Sequence, residues 1–570
     1  MEAPNPALTV QQALDLAVQH HRAGRLAEAE GIYRRILAAE PNNAQALHLL
    51  GVLGGQVGQA EAGIQLIRRA IALQPDFADA YNNLGCALSA QDQPDEAIEA
   101  FRNALRLQSD NSSARLNLCT AMIQSGLADE TLALFKGLLR DAPGWVAAHS
   151  NYLLILSYTC DDPVAILAEQ RRWNQVHAQP IRSLRRPHAN DPSVGRRLRI
   201  GYVSADFNDH PAGRNILPLL REHDRDRFEI YCYSSSIKRQ ALTDRMRACC
   251  NGWRDIFGVD DEAAAQMIRN DAIDILVDLS LHSSGSRLMV FAHKPAPVQA
   301  TFIGYPAGTG LETIDYRLTD PHLDPPGIGD DHYVETSIRL PSTFWCYDPE
   351  GMELSEAPPV SAPPAIEGGA VSFGCLNGFW KFNDAVLALW AKVLAAVAGS
   401  RLIVLSPQGS ARERLARKLA SFGIEPNRIE FLTRKPRREY LNYYSKIDIG
   451  LDTFPYNGHS TSLDALWMGV PVVTLVGRTC VGRAGLSQLS NLNLPELAAQ
   501  TPEQFVAIAT KLAQDLPRLA ELRSGLRQRM LSSPLMDARR FARDVESAYG
   551  RMWLKWRQQR TMQKTGDGPA

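Results

Sequence analysis

The chain has 570 residues, too many for one hydrophobic core, and this length predicts about three domains. Apolar residues make up 45% and charged residues 22% of the sequence, as in ordinary globular proteins. The net charge of −1 excludes a general electrostatic attraction to nucleic acid or to an anionic membrane, so any phosphorylated ligand must be held by a local arrangement of residues.

Nine cysteines are scattered along the chain without the spacing of a zinc site or a disulfide framework. This pattern indicates free thiols in a reducing compartment such as the cytoplasm. The first residues lack a basic region followed by an apolar core, so no signal peptide is predicted. No apolar run reaches about 18 residues, so no membrane span is expected.

A repeat of 34 residues dominates the N-terminal part of the chain, and five columns of similar residues stay in register over four units. The units are predicted to span 10–43, 44–77, 78–111 and 112–145, and the stretch VAAHSNYLLILSY predicts the start of a fifth, terminal unit. Small residues let the two helices of a unit approach closely, larger apolar residues fill the gap to the next unit, and proline closes the second helix. The columns are Ala17, Gly51, Gly85 and Cys119; Gly24, Gly58, Asp92 and Gly126; Tyr33, Ile67, Phe101 and Phe135; Leu37, Ile71, Leu105 and Leu139; and Pro41, Pro75, Ser109 and Pro143.

This pattern resembles the tetratricopeptide repeat, and the resemblance implies a superhelix over residues 10–160 with a concave groove. The groove is interpreted as a binding site for extended protein or peptide. The alternative is a scaffold or dimerisation surface, which leaves a homo-oligomer open.

The segment QPIRSLRRPHANDPSVGRR is basic and lacks periodicity, so residues 161–196 are predicted to connect the repeats to an α/β region. In that region, short β-rich runs alternate with helical stretches over 197–353, and this alternation predicts a parallel sheet with helices on both faces. The predicted strands of this first Rossmann-like lobe are LRIGYVSADF, FEIYCYSSS, IDILVDLSL and VQATFIGYP.

A Pro/Ala-rich linker is predicted over 354–369, followed by a second Rossmann-like lobe with C-terminal helices over 370–557 and a flexible tail over 558–570. The predicted strands of the second lobe include AVSFGCLN, RLIVLS, RIEFLT and DIGLDT, with helices such as NDAVLALWAKVLAAV between them. Two doubly wound lobes are expected to bind a ligand in the cleft at the carboxyl ends of their strands.

The stretch PYNGHSTSLDALWMGVPVVTL comes after strand DIGLDT and predicts a turn, a helix that starts near His459, and a further strand. Backbone N–H groups at a helix start bind anions, Ser460 and Thr461 add hydroxyl donors, and Gly458 permits close backbone approach. Asp464 lies one turn further along, where a carboxylate would repel phosphate but could accept hydrogen bonds from a ribose diol. The pattern indicates nucleotide recognition; a well-capped helix with an incidental histidine is the structural alternative.

NGHSTSLDALWMGVPVVTL, together with GCLNGFWKF, GYVSADFNDHPAG and FIGYPAGTG, resembles the O-GlcNAc transferase family over residues 10–555, and the match suggests a bacterial member of it. The resemblance implies a GT-B arrangement of the two lobes, with UDP-GlcNAc as donor substrate between them. It also implies inversion at the anomeric carbon without a metal or other cofactor. The motif Asp224–Arg225–Asp226 has DxD spacing, but it lies in a charged segment before a strand and is interpreted as a solvated loop.

Lys381 follows strand AVSFGCLN, and the resemblance implies that it stabilises the leaving diphosphate in place of a metal. Asn377 lies on the same turn, whereas Gly378 stands where the family has a glutamine that contacts phosphate. Within RKPRREYL, the resemblance places Arg437 and Tyr440 at uracil and ribose. The animal enzymes have lysine and histidine at these two positions, which leaves the base specificity open.

His210, in NDHPAG, follows the first strand of the first lobe, where a histidine suits a general base that deprotonates a serine or threonine hydroxyl. The mechanisms considered for the family also place a donor phosphate oxygen or a water relay in that role. The resemblance assigns Gly304, Tyr305 and Pro306 to a turn whose backbone approaches sugar or acceptor. His282, in LSLHSSGS, matches its motif less well, and a structural role is equally consistent.

These observations predict a transferase that moves N-acetylglucosamine from UDP-GlcNAc to serine and threonine hydroxyls of proteins. Arg437 and Tyr440 keep a SPINDLY-type O-fucosyltransferase, which uses GDP-fucose, as an alternative. A non-catalytic repeat scaffold with a degenerate nucleotide site is a further alternative, against which Lys381, His210 and the GHST stretch argue. Turnover of a donor distinguishes an enzyme from a scaffold.

Overall fold

The computed structural model describes residues 8–349 and 358–565. Within them the chain divides into two compact units: one comprises 8–131 with 406–416, and the other comprises 132–405 with 417–565. The first residues of the N-terminal segment, residues 354–357 of the predicted linker and residues 566–570 of the predicted tail lie outside the described residues.

The repeat region consists of helices joined by short turns, with α1 packed on α2, α3 on α4 and α5 on α6. These helices are α1 (Val10–Arg22), α2 (Leu26–Ala39), α3 (Ala44–Gln56), α4 (Ala60–Leu73), α5 (Ala78–Ala90), α6 (Pro94–Leu107), α7 (Ser112–Gln124) and α8 (Ala128–Asp141). One predicted column lies at the turns that follow α1, α3, α5 and α7. Its residues Gly24, Gly58, Asp92 and Gly126 take positive φ angles of 73°, 82°, 56° and 76°, a region that glycine enters at little cost.

Small residues bring the paired helices into close contact, as the repeat pattern predicts. A Cβ atom on Gly51 of α3 would lie 2.7 Å from the backbone oxygen of Gly63 on α4, and one on Gly85 of α5 would lie 2.5 Å from the Phe101 ring on α6. Phe101 is fully buried, so the space left by the absent glycine side chain is filled by the aromatic column.

We expect Gly51→Ala to lower the free energy of unfolding by about 1–3 kcal/mol, because its methyl group would overlap backbone that cannot move without separating α3 from α4. Gly55→Ala on the same helix is the matched control, since nothing lies within 4 Å of its Cβ position. Alanine favours a helix interior over glycine by about 0.5–1 kcal/mol, so the control should gain stability. Urea unfolding measures both variants, and equal stability of the two would contradict this packing.

Two further helices belong to the second unit, and together we call them the helical hairpin: α9 (Val146–Thr159) and α10 (Pro163–Trp173). Helix α9 occupies the predicted fifth unit, whereas α10 lies within 161–196, which is predicted to be a connecting segment. Asp162 caps α10 and Pro163 stands in its first turn, a start signal that the lack of periodicity around it obscures. Leu153 and Trp173 pack into the core of the first lobe, so the hairpin shares that core.

The first lobe is a seven-stranded, wholly parallel sheet with the order β3-β2-β1-β4-β5-β6-β7. Its strands are β1 (Leu198–Ser204), β2 (Phe228–Ser234), β3 (Gly252–Asp255), β4 (Ile275–Asp278), β5 (Val298–Thr301), β6 (Tyr316–Thr319) and β7 (Thr336–Arg339). Its helices are α11 (Pro211–Glu222), α12 (Ala241–Ala248), α13 (Asp261–Asn270) and α14 (Leu288–Ala292). The sequence predicts strands β1, β2, β4 and β5 but not the short strands β3, β6 and β7.

The second lobe is a six-stranded parallel sheet with the order β10-β9-β8-β11-β12-β13. Its strands are β8 (Ser372–Cys375), β9 (Arg401–Leu405), β10 (Ile429–Leu432), β11 (Ile449–Leu451), β12 (Val472–Leu475) and β13 (Ala498–Ala499). The helices from the linker onward are α15 (Pro364–Gly368), α16 (Asp384–Ala396), α17 (Ser410–Ser421), α18 (Arg437–Asn442), α19 (Ser460–Trp467), α20 (Ala484–Asn491), α21 (Pro502–Gln514), α22 (Leu516–Leu531) and α23 (Ala538–Thr565).

In each sheet the strand order reverses direction between two neighbouring strands, β1 and β4 in the first lobe and β8 and β11 in the second. The loops that leave such a pair diverge to opposite faces, and the crevice between them is where open α/β sheets bind ligands. The fold class predicted from the sequence, helical repeats followed by two Rossmann-like lobes, is confirmed.

The last helix returns from the second lobe to the first. On α23, the Tyr549 hydroxyl lies 3.1 Å from the Tyr202 hydroxyl of β1, and Glu546 lies 2.9 Å from Nδ1 of His223. Helix α23 continues to Thr565, so the described part of the predicted flexible tail is helical. None of the described helices has the length and apolar character needed to cross a membrane.

Candidate active site

The loops that follow β8 and β11, the two central strands of the second sheet, meet where the strand order reverses. Asn377 and Lys381 follow β8, and the PYNGHST turn follows β11. Lys381 is buried; its Nζ donates a hydrogen bond to the backbone oxygen of Asn457 at 2.7 Å and lies 4.3 Å from the centroid of the Tyr456 ring. The cation identified from the sequence is therefore held against the turn that precedes α19.

Burial lowers the pKa of Lys381 to about 8, and the nearby Asp452 carboxylate opposes the shift. The ammonium group is thus charged at neutral pH but loses its proton more easily than an exposed lysine. A negative charge placed beside Nζ would favour the protonated form. This is the electrostatic behaviour expected of a lysine that meets an anionic ligand.

Asp452 organises the turn, although it is not among the residues predicted from the sequence. Its buried carboxylate accepts hydrogen bonds from Gly458 N at 2.6 Å and Thr474 Oγ1 at 2.8 Å. It also accepts one from Asn377 Nδ2 at 3.2 Å, which ties the loop after β8 to the strand end of β11. Burial raises the pKa of Asp452, while the donors of Gly458 and Thr474 and the charge of Lys381 oppose the rise. The only available signal was an acidic residue directly after an apolar strand.

Helix α19 begins at Ser460, close to the predicted start, and His459 is its N-cap residue without a side-chain cap. A Cβ atom on Gly458 would overlap Ser462 Oγ, so the absence of a side chain there leaves room for Ser462. Ser460 and Thr461 are partly exposed, and neither hydroxyl bonds to another group in the described parts of the chain. Because the first N–H groups of a helix have no acceptor within it, this end presents backbone and hydroxyl donors to an anion.

The His459 ring stacks on Tyr456 with centroids 4.5 Å apart and lies 5.5 Å from the Trp345 ring. Its Nε2 is 3.3 Å from the backbone oxygen of Val481, which fixes the ring orientation. Burial, together with the charge of Lys381, lowers the pKa of His459 well below its usual value. The imidazole is therefore neutral, and His459 contributes shape and a neutral polar group rather than a charge.

The Asp464 carboxylate already accepts hydrogen bonds from other side chains of the protein. This bears on its predicted role as an acceptor for ribose. Arg437 forms a bidentate ion pair with its carboxylate, and the Tyr347 hydroxyl donates to it at 2.9 Å. Burial alone would lower the pKa of Arg437, but the Asp464 charge outweighs it and raises that pKa. A ribose diol would have to share the carboxylate oxygens with these donors, so the role of Asp464 at a nucleotide stays a prediction.

Tyr440 is part of a hydroxyl chain on the same side of α19. Its hydroxyl lies 2.9 Å from that of Tyr444, which donates to the backbone oxygen of Thr461 at 3.0 Å. The guanidinium carbon of Arg437 lies 5.6 Å from the Tyr440 ring centroid. Tyr440 is partly exposed, and its role in stacking on a base stays a prediction.

The turn assigned to Gly304, Tyr305 and Pro306 joins the first lobe to this site. Tyr305 is buried in a hydrophobic cluster with Tyr456, so the two lobes are in direct contact here. A Cβ atom on Gly304 would lie 2.5 Å from the backbone oxygen of Leu279, which explains why a residue without a side chain occupies this position. Pro306 lines a small cavity beside this contact.

His210 caps α11: its Nδ1 accepts a hydrogen bond from Ala212 N at 3.3 Å and lies 3.5 Å from Asp206 Oδ2. Partial removal from water lowers the pKa of His210, and the Asp206 charge opposes the shift, so the half-exposed imidazole is mainly neutral at pH 7. Among the described residues, His210 makes no hydrogen bond or ion pair with Lys381 or Asp464. Its role as a base stays a prediction.

His282 lies in the interior. Its Nε2 is 2.8 Å from the backbone oxygen of Thr309, and its Nδ1 is 3.4 Å from Ser150 Oγ on α9. Burial lowers the pKa of His282 to about 4, which favours the structural role. In the DxD segment, Asp226 N donates to Asp224 Oδ1 at 3.0 Å and forms a local turn. The described residues contain no group of three or more His, Cys, Asp or Glu side chains arranged to hold a metal ion.

We expect Asp452→Ala to lower the free energy of unfolding by about 2–5 kcal/mol, because it leaves several buried donors without an acceptor. Asp331→Ala, at a carboxylate that is 92% exposed, is the matched control and should change stability by less than about 0.5 kcal/mol. Urea unfolding followed by tryptophan fluorescence provides the measurement. A stable Asp452→Ala variant would show that the turn does not depend on this carboxylate.

Two doubly wound parallel sheets, with a helix start and a buried lysine where the strand order of the second sheet reverses, define a two-lobed α/β protein with a site suited to an anionic ligand. The model of Glycosyl transferase family 41 matches residues 168–355 and 364–545, so the chain belongs to that family. Tetratricopeptide repeat models match residues 14–76 and 78–111.

The chain is similar to proteins named probable UDP-N-acetylglucosamine–peptide N-acetylglucosaminyltransferase SPINDLY from Petunia hybrida and Solanum lycopersicum. The identity is 41% over 377 residues and 42% over 369 residues, or 65% and 63% of this chain. The similarly named SEC protein of Arabidopsis thaliana is 30% identical over 365 residues, 63% of this chain. The matches span 40%, 39% and 37% of the length of these plant proteins, so the chain covers about two fifths of the length of these curated relatives.

A solved structure of the Thermobaculum terrenum O-GlcNAc transferase, a lysine-to-methionine variant, is 36% identical with a TM-score of 0.73. The likeness covers 98% of this chain and 100% of that one. Membership in the O-GlcNAc transferase-like group is thus confirmed. The plant relatives do not single out a bacterial branch of the family, so the assignment of this chain to such a branch stays a prediction.

Proposed function

We propose that the protein is an inverting, metal-independent glycosyltransferase that transfers N-acetylglucosamine from UDP-GlcNAc to serine and threonine hydroxyls of proteins. The observation that carries the proposal is the hydrogen bond of 2.7 Å from Lys381 to Asn457, which holds a buried cation beside the start of α19. Membership of family 41 and the likeness to an O-GlcNAc transferase structure support the same reaction.

In this proposal the diphosphate of the donor lies between Lys381 and the first turn of α19. The N–H groups and the hydroxyls of Ser460 and Thr461 bind phosphate oxygens, and Lys381 compensates the charge that develops as the glycosidic bond breaks. A fixed donor or cation acts most strongly where charge appears in the transition state. Arg437, paired with Asp464, and Tyr440 border the nucleoside.

Inversion follows from attack on the face of the sugar opposite the diphosphate. The acceptor oxygen bonds to the anomeric carbon as the bond to UDP breaks, and the hydroxyl proton passes to a base. We assign this base to His210, whose lowered pKa keeps it neutral and able to accept a proton. A donor phosphate oxygen or a water relay is the competing assignment.

We propose that polypeptide acceptors reach the site through the groove of the repeats. The repeat models that match residues 14–76 and 78–111 support this role, because such arrays form extended binding surfaces. A cytoplasmic location fits the nine free cysteines, which suit a reducing compartment. Self-association through the array stays open as a second use of the same surface.

A second candidate function is transfer of fucose from GDP-fucose. The observation that favours it is the identity of 41% to a SPINDLY protein, compared with 30% to SEC. Arg437 and Tyr440 differ from the lysine and histidine of the animal enzymes at the base, where uracil and guanine must be distinguished. The names of the SPINDLY relatives nevertheless refer to UDP-N-acetylglucosamine.

Calorimetry with UDP, UDP-GlcNAc, GDP and GDP-fucose, each with and without EDTA, tests both candidates. Mass spectrometry of protein acceptors incubated with each donor then identifies the transferred sugar. We expect UDP-GlcNAc to bind with EDTA present and to add N-acetylhexosamine. A deoxyhexose adduct would select the fucosyl candidate, and loss of binding in EDTA would contradict metal independence. A scaffold would turn over neither donor, even by hydrolysis.

We expect kcat/KM to fall as the pH rises through about 8, because the free enzyme loses the Lys381 proton there. The kcat profile should fall at higher pH, since the bound diphosphate raises the pKa of Lys381. Lys381→Met should remove this basic limb and lower kcat by about 10²–10³. The exposed Lys392→Met is the matched control. A wild-type kcat/KM that stays constant to pH 9 would exclude Lys381 as the titrating group.

A further inference from the structure

Helix α9 of the helical hairpin contributes an aromatic residue to the site, although it precedes the residues that match the family model. Tyr158 lies in α9, whereas the family match begins at residue 168. Its ring meets that of Tyr456 edge-on, with centroids 5.0 Å apart and planes at 66°. It also lies 6.5 Å from the Trp380 ring, which comes after β8. We call Tyr158, Trp380 and Tyr456 the aromatic wall.

The aromatic wall lies next to the group proposed to meet the diphosphate. Lys381 Nζ is 4.3 Å from the centroid of Tyr456, and Tyr456 is the member that Tyr158 contacts. A donor sugar is joined directly to that diphosphate, so its pyranose ring must lie within a few bond lengths of Lys381. The wall is therefore among the surfaces closest to the sugar.

The polar groups of the aromatic wall have no hydrogen-bond partner within residues 8–349 and 358–565. The hydroxyls of Tyr158 and Tyr456 and the indole N–H of Trp380 form no hydrogen bond there, while the rings themselves are partly or largely buried. Most buried tyrosine and tryptophan side chains do find a partner for these groups. Flat apolar rings that carry free donors suit a pyranose, which has C–H faces and hydroxyl edges.

Contacts to both lobes fix the position of the helical hairpin. Between α9 and α10, the Asp161 carboxylate accepts a hydrogen bond from Arg478 N of the second lobe at 2.9 Å. On α10, Gln170 Nε2 donates to the backbone oxygen of Gly308 in the first lobe at 2.6 Å. The Trp380 ring lies over Gly378, where a Cβ atom would overlap it.

We propose that the aromatic wall binds the sugar of the nucleotide-sugar donor, and that Tyr158 is a specificity-determining residue supplied by the helical hairpin. The inference rests on the proposed function, since it takes Lys381 as the neighbour of the diphosphate. It adds a sugar contact from a helix outside the family-matched residues. Tyr158 orients the pyranose and supports Tyr456, and it makes no contact with the nucleotide.

The test compares nucleotide with nucleotide sugar in the full-length protein. Calorimetry measures Kd for UDP and for UDP-GlcNAc, and for GDP and GDP-fucose in parallel, in wild type, Tyr158→Ala and Tyr158→Phe. Tyr152→Phe, at another tyrosine of α9, is the matched control. We expect Tyr158→Ala to weaken donor binding by about three- to tenfold through the lost ring contact, with nucleotide binding unchanged. Tyr158→Phe should show a smaller loss through the hydroxyl.

Thermal unfolding midpoints confirm that each variant is folded, and Tyr158→Phe keeps the test valid if Tyr158→Ala unfolds. An unchanged ratio of donor to nucleotide affinity in the folded Tyr158 variants overturns the inference. Parallel losses for nucleotide and donor overturn it as well, because they indicate a structural role. If the wild type binds no nucleotide or donor at all, the proposed function itself fails.

Discussion

The buried carboxylate of Asp452 is the interaction on which the site depends. It stands at the end of the central strand β11 and accepts hydrogen bonds from the turn before α19, from β12 and from the loop after β8. Because a buried charge is costly without partners, these donors are drawn to one point. The turn is thereby placed so that its backbone meets Lys381. The lysine and the helix start are therefore linked through this shared acceptor.

The geometry around that point is built by three parts of the chain that are far apart in sequence. The second lobe supplies the cation and the helix start, the first lobe supplies Tyr305, and the helical hairpin supplies Tyr158. These tyrosines meet around Tyr456 in a cluster with little polar content. The site therefore combines a polar end, suited to phosphate, with an aromatic side, and the boundary between them lies at the PYNGHST turn.

Features that depend on local pattern could be predicted from the sequence, and features that depend on distant pairing could not. The start of α19, the strands β8 to β11 and the position of Lys381 after β8 are indicated by periodicity, turn residues and motif order. The ion pair between Asp464 and Arg437 joins residues 27 positions apart, and nothing in the local pattern showed that the carboxylate was already bound. Helix α10 was missed because a basic, aperiodic stretch comes after its short capped sequence.

The return of α23 to the first lobe has a consequence for synthesis of the chain. Tyr202 and His223 of the first lobe are covered by Tyr549 and Glu546, which a ribosome adds more than 300 residues later. While the second lobe is being translated, Tyr202 and His223 can bond to each other, at 2.8 Å, but lack the contacts that α23 supplies. The first lobe therefore gains these last contacts only after nearly the whole chain has been synthesised.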